Sequence, residues 1–302
     1  MPIPGDTIDA PVPARAERRH RLTGWLVMVG VVTFLAGLLF GYDQGVISGA
    51  LPLLKEDLDL STFAAEIITS WVTLGALVGA LVAGTLADRI GRRWTAVAAG
   101  VLFAGGALLE TVAPDAATLT VGRVITGVAV GFASTVAPLY AAEMAPAWIR
   151  GRIVSSYQLA ITVGIFLAYL ADDALTGGDH WREMFALAVI PGVLLVVAFL
   201  IVPESARWLL GKGRRDEALE TLRKVDGPDD APAHLAEMEE DLRVEREEGE
   251  ATWGEVFSPR VRRPLIIGVG LAIIQQVTGI NAIIYYANDI FARAGFATAQ
   301  DQ

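Results

Sequence analysis

Two charged side chains interrupt stretches of this chain that otherwise carry almost none. Asp43 stands in the apolar run 24–51, and Arg123 in the run 119–140. If these runs lie in hydrocarbon, each lone charge costs about 2.5–3.5 kcal/mol on insertion scales. Pairing between them is therefore expected. A carboxyl that can move between a guanidinium and another environment can bind and release a proton. Proton coupling at Asp43, with Arg123 as modulator, is the chemistry this pattern suggests. A purely structural pair, or an Asp43 that meets water at the interface, is the alternative. Glycines at 41, 45 and 49 surround the aspartate. They are expected to loosen helix packing and to let solvent or a partner approach.

A second set is polar but neutral. Gln158 lies in the run 153–171, and Gln275, Gln276, Asn281, Tyr285 and Tyr286 lie in the run 265–287 around Gly279. An amide presents both donor and acceptor, which matches sugar hydroxyls. A neutral set of this kind suits an uncharged polyhydroxy ligand better than an amino acid or a phosphate. Aromatics such as Phe40 and Tyr285 suit the apolar face of a pyranose. Hydrogen bonding between helices is the alternative use of the amides.

No enzyme constellation accompanies these groups: the sequence shows no nucleophile–histidine pairing, no Gly-rich phosphate loop and no paired carboxylates in an obvious cleft. The chain has no cysteine, and its three histidines, His20, His180 and His234, lie far apart. Thiolate chemistry is excluded and a histidine-built metal centre is not expected. No cofactor is expected beyond the proton as co-transported ion. The net charge of −10, much of it from the acidic stretch 226–250, argues against nucleic acid as a partner.

The elements that must position these groups follow from hydropathy. The 302 residues are 53% hydrophobic, with a mean hydropathy of +0.48, which points to repeated membrane spans. A helix needs about 20 apolar residues to cross the hydrocarbon core. Stretches of that kind recur at 24–51, 67–87, 94–113, 119–140, 153–171, 185–202 and 265–287. All are expected to be helical, because lipid offers backbone groups no partner. Gly75, Gly79, Gly84, Gly127 and Gly131 suit close helix contact. The first run follows Arg15, Arg18, Arg19 and Arg21 as a signal peptide would, but is too long for one and reads as a retained helix.

Short loops set the orientation. Lys55 to Asp59 is acidic on balance, Asp88 to Arg93 basic, Glu110 with Asp115 acidic, Arg150 with Arg152 basic, and Asp172, Asp173 and Asp179 acidic. Lys212, Arg214 and Arg215, then Arg260, Arg262 and Arg263, bracket a long sixth connection. This alternation places the N-terminus and the long connection in the cytoplasm. Span one then runs outward and span four inward, so Asp43 and Arg123 share a depth in the extracellular half. The long connection carries two amphipathic patterns, 216–224 with Leu219 and Leu222, and 232–248 with Leu235, Met238 and Leu242.

Taken in order, the motifs resemble the sugar porter branch of the major facilitator superfamily, and most of all the bacterial hexose and pentose proton symporters. The matching segments begin with Phe40-Gly41-Tyr42-Asp43, Gly84 through Asp88-Arg89-Ile90-Gly91-Arg92-Arg93, and Gly122-Arg123. They continue with Pro138-Leu139-Tyr140, Glu143, Pro146, Arg150, Gly151 and Gln158-Leu159. Pro203-Glu204-Ser205-Ala206-Arg207-Trp208 and Gln275-Gln276-Val277-Thr278-Gly279-Ile280-Asn281 with Tyr285-Tyr286 complete the series.

The resemblance implies an all-α transporter of twelve helices working by alternating access, with its sugar site between two six-helix halves. Carried over, Phe40, Gln158, Gln275, Gln276, Asn281 and Tyr285 contact the sugar. Asp43 and Arg123 occupy the positions of the proton-coupling pair. Asp88 lies in the family's basic loop motif, and Arg89, Arg92, Arg93, Glu143, Arg150, Glu204 and Arg207 match a cytoplasmic charge network that latches the outward-facing state. The implied organisation is a cytoplasmic tail at 1–21, the N-terminal six-helix bundle at 22–203, a cytoplasmic helical linker at 204–263, and the first helix of the C-terminal bundle at 264–302. Helices eight to twelve lie beyond Gln302, so a fragment or truncated product is expected.

Three departures qualify the match. Ala206 stands where proline is usual. Asn288 replaces the proline that usually follows the tyrosine pair, so a straighter outer end of span seven is expected. Ile165 stands where xylose-type symporters can place glutamine, which points to a hexose. The expected protein is a monomeric plasma-membrane carrier of a monosaccharide, coupled to protons. A facilitative sugar or polyol carrier is the alternative within the class, and a sugar sensor or non-transporting remnant the alternative outside it.

Overall fold

A computed structural model describes residues 22–175, 180–248 and 258–295. The tail at 1–21 and Asp179 lie outside the described residues. Six long helices come first: α1 (Gly24–Asp57), α2 (Thr62–Ile90), α3 (Arg92–Thr111), α4 (Ala116–Met144), α5 (Ala147–Leu175) and α6 (Trp181–Ile201). α1, α2, α4 and α5 overrun their apolar stretches, because polar and charged residues at the helix ends continue the backbone ladder, whereas α3 and α6 start upstream of theirs and stop one or two residues short. Side chains in the connecting turns satisfy several of the exposed N–H groups. Thr23 accepts from Leu26, Ser61 from Ala64 and Asp115 from Thr118. The backbone and side-chain donors of Thr118, with the N–H of Ala117, hold the Asp115 carboxyl below the ordinary carboxylate range.

The six helices form one bundle in which α1 packs on α5 and α6, and α4 on α2 and α3, with α3 also against α6. Backbones approach closely at glycines. A Cβ at Gly41 would collide with the Ile161 carbonyl of α5, and one at Gly164 with the Leu38 carbonyl of α1. The glycines around Asp43 therefore tighten the packing, contrary to the looser helix expected from them. A Cβ at Gly45 would stand 2.6 Å from that of Ala168, and Gly49 faces Asp172. Removing a side chain where another helix can fill the space brings that helix in, and solvent stays out.

The long connection folds into α7 (Ala206–Gly211), α8 (Arg215–Val225) and α9 (Ala231–Glu248). Ala206, Leu209, Leu210, Ala218, Leu222, Leu235 and Met238 bury one another in a small cluster separate from the bundle core. Both amphipathic patterns read from sequence become helices; α7, hidden in the proline-led motif, is additional. Thr23 donates to the Val225 carbonyl at 2.7 Å and ties this subassembly to the start of α1.

Span seven is in three pieces: α10 (Pro259–Val277), α11 (Ile280–Tyr285) and α12 (Ala287–Arg293). Gly279 adopts a left-handed conformation with φ 73°, which ends α10. A second break at Tyr286 separates α11 from α12. The outer end of the span is thus interrupted, not straighter, although proline is missing there; the break arises from the backbone at Tyr286. The helix also starts at Pro259, upstream of the expected boundary at 264. In all, seven segments among the described residues are long and apolar enough to cross a membrane, including Val261–Tyr285, none of whose residues is fully buried. α11 and α12 touch α1.

Candidate functional site

Asp43 on α1 and Arg123 on α4 meet inside the bundle. The Arg123 Nη1 donates to Asp43 Oδ1 at 2.9 Å, with Asp43 3% and Arg123 0% exposed. The pair is sealed from solvent in this conformation, so an Asp43 resting in interfacial water does not describe it. The ring of Phe185 on α6 lies 5.8 Å from the Arg123 guanidinium carbon. Tyr285 on α11 lies against Thr73 and Gln44 and within electrostatic reach of both charges. One residue of the neutral set thus reaches the charged pair, through the contact of α11 with α1.

A third ionisable group is present, at a position where an acidic loop is expected from the sequence. Glu110 is 1% exposed inside α3, its Oε1 2.8 Å from the Thr126 hydroxyl and its Oε2 3.6 Å from Arg123 Nη1. The signal was the helical period of the buried face of α3, where Phe103, Gly106 and Ala107 lead to Glu110 at i+7, i+4 and i+3. The apolar stretch 94–113 contains Glu110, but counting it with Asp115 as a loop charge hides this.

The remaining residues of the neutral set are dispersed. Phe40 is half-buried against the core, Gln158 is exposed on α5, and Gln275 and Gln276 are exposed on α10. Asn281 donates to Gln276 Oε1 at 3.1 Å across the Gly279 break. That break turns two residues of span seven toward each other that a continuous helix would hold apart.

At the end of the bundle where α2 turns into α3, a tight charge cluster forms. Arg92 donates through Nε and Nη2 to Glu143 of α4, at 3.0 and 2.9 Å, and through Nη1 to Asp88 at 2.9 Å. Glu204 caps the N-terminus of α3, accepting from the backbone of Arg92 at 3.0 Å and of Arg93 at 3.1 Å. Arg93 donates to the Phe199 and Leu200 carbonyls of α6 at 2.9 and 2.6 Å. Ser205 donates to Glu143 at 2.5 Å, and Tyr140 to the Pro203 carbonyl at 2.8 Å. Five of the eight network residues are joined in this way. Arg89 is exposed, Arg150 donates to the Ala145 carbonyl at 3.1 Å, and Arg207 pairs with Glu245 of α9. The five therefore bind α2, α3, α4 and the end of α6 to one another. Ser205 and Tyr140 belong to this cluster too; both stand in the motif segments, but neither carries the charge that marks the network residues.

Gly91 makes the cap possible. Its φ is 102°, and a Cβ there would run into the Glu204 carboxylate. Gly91→Ala is expected to cost about 1–3 kcal/mol from the strained backbone alone, read as a lower thermal midpoint in detergent with the Glu204 cap displaced.

Burial pushes the Glu204 carboxyl up from its ordinary range, and the backbone N–H groups of Ser205, Arg93 and Arg92 oppose it. A folded value above the unfolded one gives stability that is full below about pH 4 and fades as pH rises through the folded value. Glu204→Gln should remove that slope, so the melting temperature of wild type relative to the variant should fall as pH rises through the mildly acidic range.

The family described as "Sugar (and other) transporter" matches residues 29–300. The arabinose-proton symporter of Escherichia coli (strain K12) is 41% identical over 277 residues, covering 91% of this chain and 58% of the symporter. The glucose transporter GlcP of Staphylococcus epidermidis is 41% identical over 273 residues, covering 90% and 60%. Among solved structures, the partially occluded inward open conformation of the xylose transporter XylE from E. coli superposes with a TM-score of 0.75 at 33% identity. That match covers 88% of this chain and 67% of XylE. The chain thus spans about three fifths of the length of these curated relatives. With the helix order, the seven apolar segments and the motif series in agreement, this multi-pass membrane chain belongs to the sugar transporter family of the major facilitator superfamily.

Proposed function

We propose that this chain supplies the first half and the seventh helix of a carrier that moves a monosaccharide, a hexose, across the plasma membrane by alternating access with proton symport. The observation that carries the reading is the sealed Asp43–Arg123 pair with Tyr285 of span seven beside it. A titratable group and a residue of the ligand-facing set share one place, so occupancy of one can bias the other. Support also comes from relatives named for proton symport of arabinose and galactose, and from one named as a glucose transporter.

In this reading the N-terminus and the 204–263 linker are cytoplasmic, and 22–203 and 264–302 belong to separate halves. Phe40, Gln158, Gln275, Gln276, Asn281 and Tyr285 line the sugar path. The Arg92–Glu143–Glu204 cluster stiffens the cytoplasmic end of the first half, so that this end opens and closes as a unit. Radiolabelled hexose uptake by the full-length gene product in vesicles, with and without an inward pH gradient, tests the proposal. Uptake that accumulates only with the gradient supports it. Equal uptake in both conditions makes the protein a facilitative carrier, and absence of hexose, pentose and polyol flux removes transport altogether.

A further inference from the structure

Three ionisable groups, not two, are enclosed at the centre of the bundle. Asp43 and Glu110 approach the same nitrogen, Arg123 Nη1, at 2.9 and 3.6 Å from opposite helices, α1 and α3. Arg123 keeps its Nε and Nη2 without a hydrogen-bond partner, although the side chain is fully buried. The guanidinium therefore has donors left to offer a carboxylate that moves toward it. Gly122 leaves the room: a Cβ there would stand 2.6 Å from the Glu110 Cγ.

Two ionised carboxylates against one guanidinium leave an excess negative charge in a medium that hydrates none. One proton on either acid removes it. The Thr126 hydroxyl points to which acid holds it. It has one proton and three oxygens around it: Glu110 Oε1 at 2.8 Å, and the carbonyls of Arg123 and Gly122 at 3.1 and 3.2 Å. Carbonyls only accept. When the hydroxyl turns to either of them, its short contact with Glu110 survives if Glu110 is the protonated partner and donates.

We propose that Glu110 is a second proton-carrying carboxyl of the Arg123 site. It stays neutral while Asp43 is the counter-ion of Arg123, and becomes that counter-ion itself when Asp43 is the protonated acid. Glu110 gives up its proton as Asp43 receives one, so the site holds one proton in both states while one passes through it, and Arg123 is never left unpaired in the membrane. The charged and titratable groups that bear on Glu110 are Arg123 of α4 and Asp43 of α1. Tyr285 of α11 bears on those two, Thr73 of α2 lies beside Tyr285, and α6 contributes the Phe185 ring.

The inference deepens the proton-coupled reading and relies on it only for its consequence in transport. Infrared difference spectra of the full-length protein in lipid nanodiscs at neutral pH test it directly. Wild type should show a protonated carboxyl C=O band that is missing from Glu110→Gln. The band should also be missing from Asp43→Asn, because Glu110 there ionises to remain with Arg123. Thr126→Val, which only removes the hydrogen bond, should keep the band and move it to higher frequency. A band that persists in Glu110→Gln, or that Asp43→Asn leaves at full intensity, overturns the proposal. Vesicle uptake on the same samples separates the two readings. An intact band pattern without gradient-driven uptake sinks the transport reading alone, and coupled uptake with the wrong pattern sinks this one alone.

Discussion

Asp43→Asn should abolish uphill sugar accumulation while leaving downhill exchange of labelled for unlabelled sugar. The substitution keeps the size of the side chain and an oxygen able to accept from Arg123, so the α1–α4 contact at 2.9 Å can persist. What it removes is titration. A gradient of one pH unit stores about 1.4 kcal/mol per proton, which supports about tenfold accumulation at one proton per sugar. In the variant the ratio should fall to one, with the rate of equilibrium exchange changed far less. Burial of Glu110 beside Arg123 is the reason folding should survive, since the guanidinium retains a carboxylate partner. Full accumulation in the variant would remove Asp43 from the coupling mechanism.

Arg123→Gln should be the most damaging single change to stability. It strips the cation from a site with two enclosed carboxylates, and breaking a buried ion pair from one side typically costs about 3–5 kcal/mol. Against a total folding stability of about 5–15 kcal/mol, that is enough to depress the membrane-inserted yield and the thermal midpoint severely. The cost should be conditional. Combined with Asp43→Asn and Glu110→Gln, the same change should be largely tolerated, because no charge is left to strand. Comparing Arg123→Gln, the Asp43→Asn/Glu110→Gln double variant and the triple variant with wild type in detergent gives the coupling energy. A single variant that melts like wild type would mean that the site is hydrated and the charges are not dependent on one another.

Much of the architecture could be read without coordinates. Hydropathy located the ends of the first six long helices to within six residues but not the breaks in span seven, and the Leu and Met spacing at 216–224 and 232–248 foretold the two main helices of the connection. Those features rest on local composition and on the 3.6-residue period, which neighbours cannot alter. The pairing of Asp43 with Arg123 was also legible, because charges in lipid have few ways to be accommodated.

Other features depended on which helices meet. Glycines beside Asp43 looked like loosened packing until α5 was seen to fill the space above Gly41, Gly45 and Gly49. Glu110 looked like the edge of a loop until α4 placed Thr126 and Arg123 against it. Cap partners such as Glu204 lie more than a hundred residues from the helix they terminate, so no window along the chain contains both. Composition and periodicity along the chain set the number of apolar spans, their helical character and the need for the central charges to find each other. It took the packed helices to bring two carboxyls to one arginine, to make the glycines contact points, and to let the network at the α2–α3 turn tie one bundle together. The reason is that burial and hydrogen bonding between distant segments follow from interhelical distance, a quantity that no local pattern encodes.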